Sequence, residues 1–173
     1  MISLISGKYK GKKLHQFRNN QVRPTQAKIR KSVFQILEPF HGLVVLDLYA
    51  GVGTLGLEAL SRGAAQVIFV EKDRRVYRIL EKNTALFPNE NIRIHLSDAI
   101  QFISQAHTEQ FDIIFADPPY TMTNFQHLKE SVLNCLKPNG IFCMEMKKQD
   151  IDISPFRIKY YGNTQVVFWK AAA

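Results

Sequence analysis

The chain is 173 residues long and 46% hydrophobic, which is enough for one domain with a substantial core. No apolar run reaches transmembrane length, and the amino terminus lacks the apolar segment of a signal peptide. The two cysteines, Cys135 and Cys143, are too few for a disulfide scaffold or a cysteine-based metal site. We therefore expect a cytoplasmic monomer with a single domain over residues 1–173.

Positive charge is concentrated at the amino-terminal end. Residues 1–37 hold nine Lys and Arg side chains and no Asp or Glu. Because the whole chain carries +8, residues 38–173 sum to −1. A basic end on a near-neutral body is typical of a polyanion-binding protein, although a solvated face that keeps a protein soluble has the same pattern. The lack of interspersed acidic residues favours a nucleic-acid partner.

A basic hairpin extension is predicted over residues 1–24. Residues 2–6 and 12–17 have the composition of short strands, and Gly7 and Gly11 bracket the turn between them. Lysines on this hairpin suit phosphate contacts, and the aromatic ring at its tip suits base stacking, although that ring could equally pack on the body. The hairpin residues predicted to contact RNA are Lys8, Tyr9, Lys10, Lys12 and Lys13.

A basic helix is predicted to follow the hairpin. It opens at Arg23-Pro24-Thr25, with Thr25 as the N-cap. Apolar residues recur at helical spacing and should face the core, at Ile29, Val33, Ile36 and Leu37. The polar face carries Gln35 and continues the basic surface of the hairpin. The residues of this segment predicted to contact RNA are Arg23, Lys28 and Lys31.

From Leu43 onward, strand and helix patterns alternate. Residues 156–161 and 164–170 then form two strands joined at Gly162-Asn163, which predicts a terminal antiparallel hairpin. A turn at residues 137–140 should end a helix before the fifth strand. Five alternating units and a hairpin imply a seven-stranded, mostly parallel, three-layer α/β sandwich. The first five strands are predicted at about 43–48, 66–71, 91–96, 111–117 and 139–146.

A glycine loop follows the first of these strands. Gly51, Gly53 and Gly56 match G-x-G-x-x-G, and Glu71 ends the next strand, which together satisfy the dinucleotide-binding fingerprint. A nicotinamide oxidoreductase is therefore an alternative. Asp47 argues against it, because a carboxylate facing the ligand crevice would repel a pyrophosphate but would suit a cationic ligand without phosphates.

A second motif follows the fourth strand. Asp117-Pro118-Pro119-Tyr120 forms a stiff corner, because consecutive prolines cannot donate to a sheet and the first of them restricts Asp117. The corner resembles the Asp/Asn-Pro-Pro-Tyr/Phe motif of S-adenosylmethionine-dependent methyltransferases that modify exocyclic amino groups of nucleobases. Carboxylates end four successive strands, which is hard to explain without a ligand along that edge: Asp47, Glu71, Asp98 and Asp117.

The whole chain resembles one family, the bacterial small-subunit ribosomal RNA guanine-N2 methyltransferases of the RsmD type. The resemblance includes the basic hairpin, residues 23–25, the run Leu46–Gly53, Gly56–Ala64, Val70–Asp73, the Asp117 corner and Tyr161–Thr164. It implies a Rossmann-like fold, S-adenosylmethionine as cofactor and N2 methylation of one guanine of 16S RNA in the small subunit. Residues 52–54 are Val-Gly-Thr, a mild departure from the Ser-Gly-Ala/Ser that is expected in this family.

The resemblance also implies roles for the site residues. Asp117 and the Pro118 carbonyl accept from the target amine, and Tyr120 stacks on the base. Glu71 accepts both ribose hydroxyls and Lys72 packs beside the adenine. Asp98 accepts from the adenine amino group, unless it is only a helix N-cap. The predicted cofactor-binding residues are Asp47, Gly51, Gly53, Glu71, Lys72, Asp98 and Ala99.

Two alternatives to this function remain open. The corner motif does not distinguish guanine N2 from adenine N6 or another nucleobase amine. A noncatalytic RNA-binding protein is the alternative from a different class, and the carboxylate series argues against it. The histidines have no metal-ligand spacing, so we expect no metal.

Overall fold

The computed structural model describes residues 1–17, 24–106, 110–123, 125–151 and 155–173, without the side chains of 24–26. Its helices are α1 (Pro24–Leu37), α2 (Thr54–Ser61), α3 (Arg74–Thr84), α4 (Ala99–Gln105) and α5 (Phe125–Leu133). Its strands are β1 (Ile2–Ser3), β2 (Lys13–Leu14), β3 (Val44–Leu48), β4 (Gln66–Glu71), β5 (Ile92–Leu96), β6 (Phe111–Ala116), β7 (Leu136–Lys147), β8 (Arg157–Tyr161) and β9 (Thr164–Lys170). Arg23 lies outside the described residues.

Seven strands form the main sheet in the order β5-β4-β3-β6-β7-β9-β8. The pairs from β5 to β7 are parallel, whereas β9 runs antiparallel between β7 and β8. The chain builds outward from β3 in one direction and then returns to place β6 on its other side. A crevice therefore opens at the carboxyl ends of β3 and β6, where ligands of open α/β sheets bind. The predicted seven-stranded, three-layer sandwich is confirmed.

Alternate residues of the central strands divide the core between the two faces of the sheet. Val45 and Phe115 pack with Phe34 of α1 and Leu57 of α2 on one face. Leu46 packs on the other face, in the cluster that α4 and α5 complete. Successive residues of a strand point to opposite faces of the sheet, so β3 and β6 are packed in the core on both sides. This packing fixes the position of their carboxyl ends.

Helix α1 begins at Pro24, so Thr25 falls in its first turn. Three of its predicted core residues are buried and Ile36 is half-buried, while the predicted polar face is exposed. The amphipathic pattern is therefore confirmed. Within the described residues, no helix combines the length and apolar composition needed to cross a bilayer.

The predicted turn at residues 137–140 is wrong in its placement. Lys137–Gly140 belong to β7, whose pairing with β6 shifts register between Phe111 and Ile113. Asn139 adopts a φ of 63° and its N–H donates to the Ala172 carbonyl at 3.1 Å. Pairing with the carboxyl-terminal residues therefore keeps this irregular segment in the sheet, and α5 ends earlier, at Leu133.

The amino-terminal hairpin is shorter than predicted, with two residues in each strand. The N–H groups of Ile5 and Ser6 donate to the carboxylate of Glu58 at 2.8 and 3.1 Å instead of continuing a strand ladder. The Lys8 N–H donates to the Ser61 carbonyl at 2.8 Å. The turn is thus fastened to α2, and a Cβ at Gly7 would lie 1.9 Å from the Ser61 carbonyl oxygen.

Candidate active site

The glycine loop joins β3 to α2 at the carboxyl edge of the sheet. Gly51 and Gly53 have φ values of 59° and 92°, conformations that favour glycine. The Gly51 N–H donates to Glu71 Oε2 at 2.9 Å. A Cβ on Gly56 would lie 2.2 Å from the Phe69 ring, so glycine also permits the close approach of α2 to β4. The loop is shaped to bring backbone close to a ligand.

Asp47 is buried beneath this loop. Its Oδ2 accepts from the Gly56 N–H at 2.9 Å, whereas its buried Oδ1 has no hydrogen-bond partner. Burial raises the pKa of Asp47 well above its usual range, and the nearby Asp117 and Glu71 carboxylates add to the effect. A buried oxygen without a partner is costly, which makes this oxygen a candidate acceptor for a ligand.

Glu71 is fixed by two backbone groups. Besides the Gly51 bond, its Oε1 accepts from the Asp73 N–H at 2.8 Å. Each carboxylate oxygen keeps a further lone pair. Two hydroxyls of a ribose could use those lone pairs without disturbing the loop.

Two cavities lie along the edge and share Tyr49, Glu71 and Asp117. The smaller, of about 280 Å³, also contains Lys72, Ser97 and Ala99 in its walls. The larger, of about 550 Å³, extends over the ends of β3, β6 and β7. Its roof comes from α1 and from the amino-terminal segment, a contribution that the sequence reasoning missed: Met1, Ile2, Ser3, Ile5, Ala27, Ile29, Arg30 and Val33.

Asp98 acts as the N-cap of α4. Its Oδ1 accepts from the Gln101 N–H at 3.1 Å. Its neighbours Ser97 and Ala99 line the smaller cavity. The cap is therefore present, and an adenine contact by a remaining lone pair stays a prediction.

The Asp117 corner follows β6 as the prolines predicted. The Met122 N–H donates to the Pro119 carbonyl at 2.9 Å, and Pro118 is buried. The Tyr120 ring is 52% exposed, and its hydroxyl is hydrogen-bonded to Thr164 Oγ1 at 2.7 Å. Asp117 is accessible in the walls of both cavities, where the surrounding protein raises its pKa to about 6 by desolvation. Tyr120 and Pro118 do not line those two cavities; they line a neighbouring cavity of about 100 Å³, so the corner separates its carboxylate from its aromatic ring.

Glu145 is a site residue that the sequence reasoning missed. It follows Met144 of β7, which pairs with Ala116 of β6, so the register places Glu145 beside Asp117. Burial and the Asp117 charge raise the pKa of Glu145 to about 7. The signal was available, because the predicted fifth strand carries a carboxylate one residue before its end.

The family of the chain follows from sequence comparison. A family model described as Conserved hypothetical protein 95 matches residues 2–170. Ribosomal RNA small subunit methyltransferase D of Haemophilus influenzae is 34% identical over 161 residues, covering 89% of this chain and 83% of that protein. The protein of the same name from Escherichia coli is 39% identical over 140 residues, covering 80% and 68%. The chain belongs to the ribosomal RNA small subunit methyltransferase D family.

A solved structure described as a putative methyltransferase has the same fold as this chain. The yhhF protein of Escherichia coli has a TM-score of 0.90 and 30% identity, with 99% of this chain and 98% of that chain covered. The predicted family and the Rossmann-like methyltransferase fold are thereby confirmed.

The predicted RNA-contacting residues fall into two groups. Lys8 pairs with Glu90, and Tyr9 packs against Phe87 with ring centroids 4.8 Å apart while its hydroxyl donates to Glu90. For Tyr9, the structure therefore shows the packing that was the alternative to base stacking. Lys8 is exposed despite its ion pair. RNA contact stays a prediction for all the exposed lysines of this set: Lys8, Lys10, Lys12, Lys13, Lys28 and Lys31.

Acidic residues and histidines do not gather into a metal centre in the described part of the chain. No group of three or more His, Cys, Asp or Glu side chains there has the arrangement of a metal site.

Proposed function

We propose that the protein methylates the exocyclic N2 amine of a guanine in the RNA of the small ribosomal subunit, with S-adenosylmethionine as the methyl donor. The observation that carries this proposal is the Asp117 corner, whose free carboxylate lies in the wall shared by both cavities. The relatives named for small-subunit ribosomal RNA support the RNA substrate. The choice of guanine rests on the family resemblance of the whole chain.

The cavity residues fit S-adenosylmethionine. The free Oδ1 of Asp47 suits the ammonium group of its methionine part, and the loop at Gly51 and Gly53 gives the close backbone approach. The remaining lone pairs of Glu71 suit ribose hydroxyls. Asp47 also disfavours a dinucleotide, because its carboxylate would repel a pyrophosphate at this loop.

The corner residues supply orientation for the reaction. When bound, the cofactor offers a methyl group on a cationic sulfur. Asp117 and the Pro118 carbonyl accept the two N–H bonds of the target amine, which turns its lone pair toward that methyl. Tyr120, held by Thr164, stacks on the unstacked base. Positioning of this kind lowers a barrier by up to about 7–11 kcal/mol in well-oriented systems.

Asp117 also suits the proton that the amine releases. A carboxylate whose pKa is raised to about 6 is a better base than an ordinary aspartate and is still ionised near neutral pH. Acceptance of the N–H hydrogen bond and removal of the proton can therefore use the same oxygen.

Transfer of a tritiated methyl group tests the proposal. Small subunits that lack the modification are incubated with the protein and labelled S-adenosylmethionine, and the RNA is digested to nucleosides. We expect label in N2-methylguanosine with the wild type and very little with Asp117→Ala. Label in N6-methyladenosine would replace the guanine assignment, and cofactor binding without any transfer would favour the noncatalytic alternative.

A further inference from the structure

Glu145 is an ionisable residue of the site to which the reaction described above gives no role. It lines the larger cavity together with Asp117 and Asp47. Ala116 and Met144 are paired neighbours on parallel strands, which lie about 4.8 Å apart, so the next residue on each strand brings the two carboxylates together. Phe115, Asp117, Cys143 and Glu145 alternate along their strands on the face that floors the cavity.

Neither member of this carboxylate pair is used by the fold. Among the described residues, neither Asp117 nor Glu145 receives a hydrogen bond or an ion pair, and desolvation is the main influence on both. Asp112, which also lies on β6, accepts from the Val44 N–H and from Lys137. The unpartnered oxygen of Asp47 in the same cavity is an independent sign that the space receives a ligand with donor groups.

Resting on the proposed function, we propose that Glu145 determines the choice of base by accepting the N1–H of guanine, while Asp117 accepts from the adjacent N2 amine. Guanine is the standard base whose pairing edge offers two neighbouring N–H groups. Adenine and cytosine place a ring-nitrogen acceptor beside the amine, and uracil places carbonyl oxygens on both sides of its N–H. A pair of carboxylates therefore accepts hydrogen bonds from both N–H groups of guanine. Adenine, cytosine and uracil each place an acceptor opposite at least one of the two carboxylates and are repelled there.

A purine analogue isolates this contact. 2-Aminopurine keeps the 2-amino group but has a bare N1 that accepts instead of donating. Wild-type protein should methylate guanine faster than 2-aminopurine by about 10- to 100-fold, the range for a well-placed polar contact to a base. Glu145→Gln places an amide N–H opposite N1, so the ratio of the two rates should fall at least about tenfold. The analogue also lacks O6, but that loss is the same for both proteins and cancels in the comparison.

The experiment begins by mapping the methylated nucleotide with wild-type protein. Small subunits are then reconstituted with ligated RNA that carries guanine or 2-aminopurine at that nucleotide. Single-turnover rates are measured at pH 8, above the pKa values of both carboxyl groups. Glu130→Gln, the same change at an exposed position of α5, is the matched control and should keep the wild-type ratio. Glu145→Asp retains a carboxylate and should keep the preference for guanine at a reduced rate.

The outcomes separate the two proposals. If the wild type forms no N2-methylguanosine in the first step, the proposed function fails before any variant is compared. If it forms that product and Glu145→Gln keeps the wild-type ratio, the role of Glu145 is refuted. Affinity for S-adenosylmethionine, measured by calorimetry, should change less than twofold in Glu145→Gln. A loss of affinity as large as the loss in rate would place Glu145 on the cofactor and would also refute this inference.

Discussion

The amino-terminal hairpin and the carboxyl edge of the sheet use buried polar residues in opposite ways. Under the hairpin, Glu58 accepts from two backbone N–H groups and from Arg62, and Asn83 bonds the backbone of His15 and Val52. At the edge, Asp47 keeps one oxygen unpartnered, and Asp117 and Glu145 have no described partner. Glu58 and Asn83 are thus satisfied within the fold, whereas the three carboxyl groups at the edge keep lone pairs free.

Asp117→Ala should give the largest effect on activity. Loss of the acceptor and base should slow single-turnover methylation by about 10²–10⁴-fold, and Asp117→Asn should lose less because the amide oxygen still accepts one bond. Rapid-quench measurement of labelled methyl transfer gives the rates. Cofactor affinity should stay near the wild-type value, as it should in the exposed control Asp150→Ala. If Asp117→Ala transfers the methyl group at the wild-type rate, the corner has a structural role only.

Glu58→Ala probes the opposite side of the comparison. Two backbone N–H groups and the Arg62 guanidinium would lose their acceptor, which should lower the free energy of unfolding by about 3–5 kcal/mol. Urea denaturation provides the measurement. Glu130→Ala on the exposed face of α5 should change stability by less than about 0.5 kcal/mol. If both variants unfold at the same urea concentration, the hairpin is not held through Glu58.

Glu71 combines the two uses of a carboxylate, since its oxygens bond the backbone of the loop and also make the proposed ribose contact. The test is Glu71→Ala. Loss of its charge-assisted bonds should weaken S-adenosylmethionine binding by about 1.5–3 kcal/mol. Calorimetry on the folded variant measures this, and Glu71→Gln should lose less. Unchanged affinity, or tighter binding of NAD than of S-adenosylmethionine by the wild type, would overturn the cofactor role.

Reversal of charge at Lys10 and Lys12 tests the exposed part of the hairpin. Each phosphate contact contributes about 0.7–0.9 to the slope of log affinity against log salt. Lys10→Glu with Lys12→Glu should therefore weaken binding to small subunits and flatten that slope by about 1.4–1.8, while cofactor affinity is unchanged. Filter binding across a salt series is the measurement. Wild-type affinity at every salt concentration would leave these lysines a solubilising role only.

The carboxylate pair predicts a smaller effect of pH on stability. The pKa values of Asp117 and Glu145 are raised to about 6 and about 7, so the folded state holds their protons more tightly than the unfolded chain. This stabilisation is complete below about pH 4 and is lost as the pH rises through those two values. Between pH 5 and pH 8 the wild type should therefore lose free energy of unfolding relative to the double variant Asp117→Asn with Glu145→Gln. The loss should be about 1 kcal/mol or less, since Asp117 is accessible to solvent. Urea denaturation at pH 5 and pH 8 gives the free energy of unfolding of both proteins. If the double variant and the wild type differ by the same amount at both pH values, the two carboxyl groups do not have raised pKa values.

The sequence supports the sheet and most of its edge because those features are local. Periodicity locates the strands, and carboxyl ends of parallel strands meet at one edge, so Asp47, Glu71 and Asp117 could be placed together without coordinates. Glu145 needed only the same reasoning applied to the fifth strand. Contacts between distant residues are different. Tyr9 bonds Glu90, and the basic residue Arg30 is buried with its guanidinium donating to the Ser3 carbonyl at 2.9 Å. No local pattern indicates which of several basic or aromatic residues will find such a partner.

The hydrogen bond between Tyr120 and Thr164 ties the proposed base-stacking ring to the last strand of the sheet to be synthesised. Thr164 begins β9, and β9 is the neighbour of β8 among the described strands, so β8 joins the sheet together with residues 164–170. A growing chain emerging from the ribosome can pair β3 to β7 earlier, but Val166 of β9 also lines the larger cavity. The aromatic ring of the corner is anchored only when the last strand inserts. Both the larger cavity and the anchor of Tyr120 are therefore completed by the last strand of the chain.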